Sequence, residues 1–269
     1  RITKKTFRRW KLVPFFTNKI FKSFDLCLSS NSETSTFLKK FDAKNIYNLG
    51  NLKFINQVNI NEIQNINENF LTNNKFWLIA STHNGEENFC LKVHFLLKDK
   101  YKKIFTIIAP RHINRVKEIK SLCERLDLKC QVLNENDHIS GEKEIIILNS
   151  FGVLSNYFKY SKSVFIGKSL LKRLRKDGGQ NPIDAANFGC RIYHGPYVYN
   201  FREVYDILEK NNISQQINNI QELAESLYLD FDNYDKEPKK TSDIMRKISD
   251  ETLIKYTKYI EKFLKNEIS

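Results

Sequence analysis

Small polar residues that suit anion binding lie directly after a short apolar run of this chain. Residues 76–80, Phe-Trp-Leu-Ile-Ala, are typical of a buried parallel strand. Residues 81–87, Ser-Thr-His-Asn-Gly-Glu-Glu, come next and pass into a predicted helix, for which Asn84 and Glu87 predict a capping box. Backbone N–H groups and the helix dipole at such a helix start favour an anion. The small polar residues and the glycine of this turn are therefore placed where an anion would bind.

A basic pair ends a second predicted strand. Pro110, Arg111 and His112 directly follow the mainly apolar residues 104–109. The guanidinium of Arg111 is a forked donor that suits a phosphate, and Pro110 fixes the turn. A surface arginine beside a helix-capping histidine is the alternative. The position at a strand end favours a binding role for both residues.

Two further predicted strand ends carry candidate residues. Gly152 follows the predicted strand 145–148 and lets a ligand approach the backbone. Lys168 and Ser169 follow the predicted strand 164–167. Taken alone, neither segment identifies a ligand.

A glycine pair precedes the next predicted helix. Gly178 and Gly179 predict a backbone nest for an anion. Asn181 is placed to cap the helix, Pro182 to begin it, and Asp184 to lie in its first turn. From there the Asp184 carboxylate would accept hydrogen bonds from sugar hydroxyls, the alternative being compensation of the helix dipole.

Strands and helices alternate from residue 76 to about residue 210. This alternation predicts βαβ units and a doubly wound parallel sheet of the α/β class. In such sheets ligands bind outside the carboxyl ends of the strands, where the candidate residues lie. Asn200, after the last predicted strand, is expected to cap a helix first and to contact a ligand second. The predicted strands are 76–80, 104–109, 130–133, 145–148, 164–167 and 191–194.

The 269 residues divide into two predicted domains. Residues 1–57 are expected to be the C-terminal remainder of one domain, and the Asn-rich residues 58–75 a linker. Residues 76–241 would form the domain that holds the sheet. A C-terminal helix is predicted for residues 242–269.

Positive charge is concentrated at the start of the chain. The net charge is +13, and residues 1–24 carry eight lysines and arginines, no acid, and interleaved aromatic side chains. Such a segment suits an anionic membrane surface or an anionic substrate. An amphipathic helix whose apolar side is simply core is the alternative. Nucleic acid is disfavoured because no helix-turn-helix, RNA-binding sheet motif or zinc-finger spacing is present.

Several common catalytic motifs are missing from the sequence. It has no Walker lysine motif, no G-x-G-x-x-G fingerprint and no G-x-S-x-G elbow, which argues against an ordinary NTPase, dehydrogenase or hydrolase. His94 and His138 have no partner at metal-ligand spacing, and the five cysteines are scattered. We therefore expect no metal site, no cofactor and reduced thiols.

Taken together, the ordered motifs resemble the Kdo (3-deoxy-D-manno-octulosonic acid) transferase family, which builds the inner core of lipopolysaccharide. Residues 81–87 are similar to the family's S-T-H-x-G-E-E loop, and residues 110–112 to its P-R-H. The other matching segments, in chain order, are 50–54, 165–170, 178–181 and 195–201.

The resemblance implies a GT-B architecture, in which two Rossmann-like domains face a cleft and the C-terminal one holds the donor. It also implies an inverting, metal-independent transfer of Kdo from CMP-Kdo to a tetraacylated lipid A precursor. The enzyme would act at the cytoplasmic face of the inner membrane, peripherally or through an N-terminal anchor. Lys53 would approach the cleft from the acceptor side. The donor-binding residues implied are Ser81, Thr82, His83, Gly85, Glu86, Arg111, His112, Gly152, Lys168, Ser169, Gly178, Gly179, Asn181, Asp184 and Asn200.

The chain departs from the family pattern at several positions. Val153 and Asp184 stand where the family has glutamates, and Gln180 stands where it has a histidine. Lys168 replaces a glycine, and Asn84 replaces an acid. The shorter carboxylate of Asp184 still reaches a hydroxyl, whereas Val153 does not replace a carboxylate.

The family's proposed general base is a glutamate near the start of the N-terminal domain, which places it upstream of Arg1. We therefore expect this chain to bind the donor partially and to catalyse no transfer by itself. Two alternatives stay open. One is another GT-B glycosyltransferase that uses a nucleotide sugar, and the other is a degenerate, non-catalytic protein that docks on membranes through residues 1–24.

Overall fold

The chain folds into two compact units. The computed structural model describes residues 1–55, 59–232 and 238–268, the side chains of the last segment over 241–265. Unit 1 comprises Arg1–Gln57 with Met245–Ser269, and unit 2 comprises Val58–Ile244. Within the described residues, no helix combines the length and the apolar character that a membrane span requires.

Unit 1 contains a two-stranded parallel sheet and short helices. The Thr3 hydroxyl accepts a hydrogen bond from the first helix, and the Asn31 side chain does the same for the third, so both act as N-caps. The elements up to residue 48 are α1 (Lys4–Trp10), α2 (Pro14–Lys22), β1 (Cys27–Ser29), α3 (Ser32–Lys40) and β2 (Ile46–Asn48).

Unit 2 is built on a seven-stranded sheet in which every pairing is parallel. Its strands are β3 (Phe76–Thr82), β4 (Phe105–Pro110), β5 (Cys130–Leu133), β6 (Ile145–Leu148), β7 (Ser163–Ile166), β8 (Arg191–His194) and β9 (Ser214–Gln216). Its helices are α4 (Glu68–Asn73), α5 (Glu86–Lys100), α6 (Val116–Arg125), α7 (Leu154–Phe158), α8 (Ile183–Asn187), α9 (Arg202–Lys210) and α10 (Ile220–Asp232).

The strand order of this sheet is β5-β6-β4-β3-β7-β8-β9. The chain begins at β3, builds β4, β5 and β6 on one side, and then returns to place β7, β8 and β9 on the other. The order of the strands therefore reverses between β3 and β7, which is the switch point where open α/β sheets bind ligands. The predicted doubly wound parallel sheet is confirmed.

The core of unit 2 explains why its central strands are continuous apolar runs in the sequence. Ile79 of β3, Ile147 of β6 and Phe165 of β7 belong to one buried cluster with apolar side chains of α5, α6 and α10. Strands covered on both faces need no polar alternation. All six predicted strands are present, whereas β9 was not predicted, because Ser214–Gln216 is short and polar.

Residues 59–75, for which the sequence suggested a linker, are attached to unit 2 in the structure. They contain α4, whose Leu71 is buried. The Asn67 side chain donates to the carbonyl of Asp137 (3.0 Å) and accepts from the backbone N–H of Ile139 (2.8 Å). Because Asn67 is itself buried, these bonds hold the segment on the sheet domain.

The last helix, α11 (Pro238–Ile268), begins four residues before the position expected from the sequence. Two tyrosines join it to the rest of unit 1. The Tyr256 hydroxyl donates to the carbonyl of Gly50 (2.9 Å), and the ring of Tyr259 lies 4.3 Å from that of Tyr47.

Candidate functional site

The turn after β3 leaves the sheet through an irregular backbone. Ser81 has φ +59°, and the pairing with β4 shifts register at this point. The Thr82 hydroxyl is buried and has no hydrogen-bond partner within the described part of the chain. Gly85, with φ +93°, precedes α5 in the N-cap position, so the predicted Asn84 cap is wrong. The Asn84 amide instead donates to Glu118 (2.9 Å).

Glu86 is fully buried and accepts four backbone hydrogen bonds. Its Oε2 accepts from the N–H groups of His83 (2.9 Å) and Lys168 (2.6 Å). Its Oε1 accepts from those of Ser169 (2.8 Å) and Leu170 (3.0 Å). The carboxylate therefore occupies an anion site formed by the turns after β3 and β7. This burial gives Glu86 a positioning role in place of the predicted direct contact with a donor.

Close packing joins the turns after β7 and β8. The Ser169 hydroxyl donates to the carbonyl of Ile166 (2.7 Å) and accepts from the N–H of Gly195 (2.9 Å). A Cβ on Gly195 would lie 2.4 Å from the Ser169 carbonyl oxygen, and one on Gly167 would lie 2.6 Å from the Thr82 Cα. Only glycine fits these positions, and the buried Ser169 hydroxyl is used inside the protein and not for a ligand.

The predicted anion nest at the glycine pair is wrong. The N–H of Gly178 donates to the carbonyl of Leu174 (2.6 Å), and the N–H of Gly179 donates to that of Lys168 (2.6 Å). A Cβ on Gly178 would lie 2.1 Å from the Tyr197 carbonyl oxygen. Because both N–H groups already have acceptors, the pair serves the close packing of two loops.

The polar residues that follow lie as predicted along the chain, but with other partners. The Asn181 side chain accepts from the N–H of Ile183 (3.2 Å) and donates to Asp184 (3.4 Å). Asp184 is exposed in the first turn of α8, as expected. Asn200 donates to the carbonyl of Asp177 and lies in a 3₁₀ turn before α9, so it does not cap that helix.

Basic groups remain accessible at the switch point. Arg111 and His112 are exposed after β4, and the backbone N–H of Arg111 donates to Thr82 (3.1 Å). The His112 ring lies 5.9 Å from that of His83, which is half-buried. Burial lowers the pKa of His83, and the positive charges of Lys168 and His112 lower it further. An incoming anion would meet this group of side chains, which we name the basic cluster: His83, Arg111, His112 and Lys168.

Lys168 has φ +58°, a left-handed conformation that favours glycine. This conformation explains why a glycine was expected at this position from the family pattern. A lysine there carries a strain of about 1 kcal/mol. In exchange, its ammonium adds a positive charge beside His83.

Gly152 and Lys53 also lie outside the basic cluster. Gly152 is exposed after β6 with φ +77°, and a Cβ there would meet nothing within 4 Å. Lys53 is exposed in a 3₁₀ turn of unit 1, where its N–H donates to the Asn51 side chain (3.1 Å). The approach of Lys53 to a cleft stays a prediction.

Sequence reasoning missed Arg115, which supports the turn after β3. Its guanidinium forms a bidentate pair with the buried Glu87, at 2.6 and 3.1 Å, and also contacts Glu118. The second acid of the segment 81–87 was the available signal, since a buried carboxylate needs a partner. Across the described ranges, no three His, Cys, Asp or Glu side chains converge to hold a metal ion. The absence of a metal in the reaction stays a prediction.

Several curated relatives share one name, although no family model matches the chain. The 3-deoxy-D-manno-octulosonic acid transferase of Rickettsia bellii is 29% identical over 270 residues, which is 96% of this chain and 63% of that protein. The same-named protein of Rickettsia typhi is 30% identical over 84% of this chain and 48% of its own length. That of Aquifex aeolicus is 26% identical over 77% and 54%. The chain thus spans roughly half to two thirds of these relatives.

Solved structures show the same fold. The C-terminal CMP-Kdo binding domain of WaaA from Acinetobacter baumannii has a TM-score of 0.60 at 21% identity, covering 74% of this chain and 98% of that domain. Anabaena Alr3699/HepE, solved with UDP and glucose, has a TM-score of 0.54 at 12% identity, covering 96% and 67%. The predicted fold class, a doubly wound α/β sheet of the GT-B type, is confirmed. The resemblance carried by the motifs is also confirmed, because over most of its length this chain is similar to the Kdo transferases.

Proposed function

We propose that unit 2 binds CMP-Kdo and that the protein to which it belongs transfers Kdo to a lipid A precursor. The observation that carries the proposal is the basic cluster at the switch point of the sheet, where this fold binds ligands. The relatives' shared name and the fold of a CMP-Kdo binding domain support it.

The chemistry of the donor fits these side chains. CMP-Kdo carries a phosphate and a carboxylate, and forked or compact cations are the usual partners of both. Arg111, His112 and Lys168 supply such groups, the first two exposed and the third half-buried. Asp184, exposed in α8, would accept from the ribose hydroxyls.

The cluster would also assist the reaction. Breaking the bond between Kdo and the phosphate leaves negative charge on CMP, and fixed positive groups stabilise that charge as it develops. Glu86 and the Arg115–Glu87 pair hold the turn that carries His83, which would keep this member of the cluster in position. We propose an inverting transfer without a metal or other cofactor, completed by a base outside the described residues.

The acceptor determines where the reaction takes place. A lipid A precursor resides in a bilayer, so we propose that the enzyme works at the cytoplasmic face of the inner membrane. An anionic membrane surface is then its second partner, and the net charge of +13 favours such a surface. No part of the proposal involves nucleic acid.

The test is competition between nucleotides for the 269-residue chain, measured by isothermal titration calorimetry. CMP should bind at least about tenfold more tightly than UDP, a difference of about 1.4 kcal/mol. Equal or tighter binding of UDP would point to a glycosyltransferase with another nucleotide sugar. If neither CMP nor UDP binds, and circular dichroism shows that the chain is folded, the result would favour the non-catalytic alternative.

A further inference from the structure

The apolar side chains of residues 1–24 form two distinct sets. The first set lies in the core of unit 1. The Phe7 ring stacks on that of Phe37 (4.4 Å), and the Phe21 ring stacks on that of Phe41 (5.0 Å). Trp10 packs edge-on against Phe21 at 5.7 Å. For these residues the alternative interpretation, an amphipathic helix whose apolar side lies in the core, is correct.

The second set is exposed on the turn between α1 and α2 and at the start of α2. Phe15 is 85% exposed, Leu12 81%, Phe16 60% and Val13 51%. Single exposed apolar residues are normal on a protein surface. Four large ones within five consecutive positions form a patch, and such patches mark interaction sites.

The turn that presents this patch is held firmly. The buried Thr17 hydroxyl donates to the carbonyls of Trp10 (2.7 Å) and Val13 (2.9 Å). The N–H of Val13 also donates to the carbonyl of Trp10 (3.2 Å), and Pro14 begins α2. The exposed side chains therefore project from a fixed turn and not from a loose loop.

Positive charge surrounds the patch in the sequence and on the helices. Residues 1–24 contain no acid, and Lys22 finds its partner outside them, in Asp42 (3.3 Å). The other exposed cations of α1, α2 and the turn are Lys4, Lys5, Arg8, Arg9, Lys11 and Lys19. Apolar side chains flanked by cations complement a bilayer with anionic headgroups, which offers hydrocarbon beneath a layer of negative charge.

We propose that residues 11–16, the docking turn, insert into an anionic lipid surface. Leu12, Val13, Phe15 and Phe16 would enter between the headgroups, while the neighbouring lysines and arginines contact the lipid phosphates. The identity of the membrane rests on the proposed function, because the acceptor there is a lipid. The docking turn itself belongs to unit 1 and shares no residue with the basic cluster.

The experiment is co-sedimentation of the chain with vesicles of phosphatidylcholine, alone or mixed with phosphatidylglycerol. The Phe15→Ser/Phe16→Ser variant should bind the mixed vesicles at least about tenfold more weakly than the wild type. The matched control is Leu253→Ser/Ile254→Ser, which removes two exposed apolar side chains of α11 and should change binding less than about twofold. Thermal unfolding of each variant shows that it is folded.

A second pair of variants tests the electrostatic part. Lys11→Gln/Lys19→Gln should weaken binding by about fivefold per lysine, and added salt should reduce the difference. The exposed pair Lys92→Gln/Lys117→Gln in unit 2 is the control and should leave binding near the wild-type level. Equal binding of wild type and phenylalanine variant, or equal binding to neutral and mixed vesicles, overturns the proposal.

Another occupant of the patch, a second copy of the chain, would give a distinct result. If the phenylalanine variant changes only the oligomeric state in sedimentation velocity, the patch joins two copies of the chain and the proposal fails. CMP affinity, measured on the same variants, should equal that of the wild type. A wild-type chain that binds CMP but not the mixed vesicles contradicts only the docking proposal, and one that binds the vesicles but not CMP contradicts only the proposed function.

Discussion

The two ends of the unit 2 sheet carry similar polar side chains, but only one end is closed by hydrogen bonds. At the amino end, the Trp77 indole donates to the Thr106 hydroxyl (2.6 Å), which in turn lies 2.8 Å from His94 Nδ1. His94 Nε2 faces Glu144 (3.3 Å), and Lys98 pairs with the same carboxylate (2.5 Å). Because Trp77 donates to Thr106, the Thr106 hydroxyl can donate its own hydrogen to Nδ1 of a neutral His94, whose Nε2–H would then face Glu144. Every group in this chain of bonds has its partner.

The carboxyl end has the same residue types without the same closure. The Thr82 hydroxyl has no partner among the residues that the structure describes, and Arg111 and His112 face solvent. Burial lowers the pKa of both His83 and His94, yet only His94 is fully enclosed. The comparison teaches that residue type alone does not identify a binding site. A closed network stabilises the fold, and an open one leaves positive groups for a ligand.

The largest expected effect comes from removing the carboxylate that frames the open end. Glu86→Ala leaves four buried or part-buried backbone N–H groups without this acceptor and should lower the free energy of unfolding by about 3–5 kcal/mol. Urea unfolding followed by circular dichroism measures this. Glu124→Ala, at an exposed i,i+4 pair with Lys120, should cost less than about 0.5 kcal/mol. A Glu86→Ala variant as stable as this control would contradict the framing role of Glu86.

The next largest effect separates Gly178 from Gly152, two glycines at the carboxyl end of the sheet, by the stability lost when each is replaced by alanine. Gly178→Ala brings a Cβ to 2.1 Å from a backbone oxygen and should destabilise by about 3 kcal/mol. Gly152→Ala meets open space, so only its φ of +77° opposes the change, at about 1 kcal/mol. Thermal unfolding of both variants compares them directly. If Gly178→Ala destabilised the protein less than Gly152→Ala, close packing would not explain Gly178, and the prediction of an anion nest at the glycine pair would stand again.

A smaller loss is expected when an open cation is removed. Arg111→Ala should weaken CMP binding about tenfold or more, because a charge-assisted hydrogen bond contributes about 1.5–3 kcal/mol. Arg125→Ala removes an equally exposed arginine at the C-terminal end of α6 and should leave the affinity within about twofold. Calorimetric titration with CMP provides both values, and equal affinities for the two variants would remove Arg111 from the site.

The closed end should show itself in the pH dependence of stability. Burial lowers the pKa of His94 below the ordinary value of 6.5, so the unfolded chain binds more protons than the folded one below that pH. The His94 contribution is therefore fully present above the unfolded pKa and is lost as the pH falls through the folded one. Urea unfolding at a series of pH values should give a shallower acid-side loss for His94→Asn than for wild type. His138 is exposed, so the His138→Asn control should keep the wild-type dependence of stability on pH. If His94→Asn also leaves that dependence unchanged, the network does not exclude protons.

The local pattern of apolar and polar residues was sufficient to predict the sheet of unit 2 and the end of its strands at which the polar residues lie. The apolar runs of β3, β4 and β6 are continuous because both faces of each strand are buried, so a single window of sequence reveals them. The short strand β9 has no such run and was missed. The order of the motifs along the chain also led to the correct family resemblance.

The roles of individual residues depended on contacts that no local window contains. Three of the four N–H groups that donate to the Glu86 carboxylate belong to residues more than 80 positions away. The burial of Glu86 could therefore not be predicted from the sequence around it. The same applies to Gly178, whose neighbour Tyr197 comes from the following loop. Glycines predicted for a nest and a carboxylate predicted for a ligand both turned out to join loops.

The most direct test of an open, anion-binding carboxyl end is to follow the histidine side chains by NMR while CMP is added. A bound phosphate favours the protonated imidazole, so the pKa of His83 should rise toward its ordinary value of 6.5 as CMP saturates the chain. The resonances of His94, enclosed at the other end of the sheet, should keep their titration curve. A His83 curve that CMP leaves unchanged, or an equal shift at His94, would contradict the assignment of the basic cluster as the donor site.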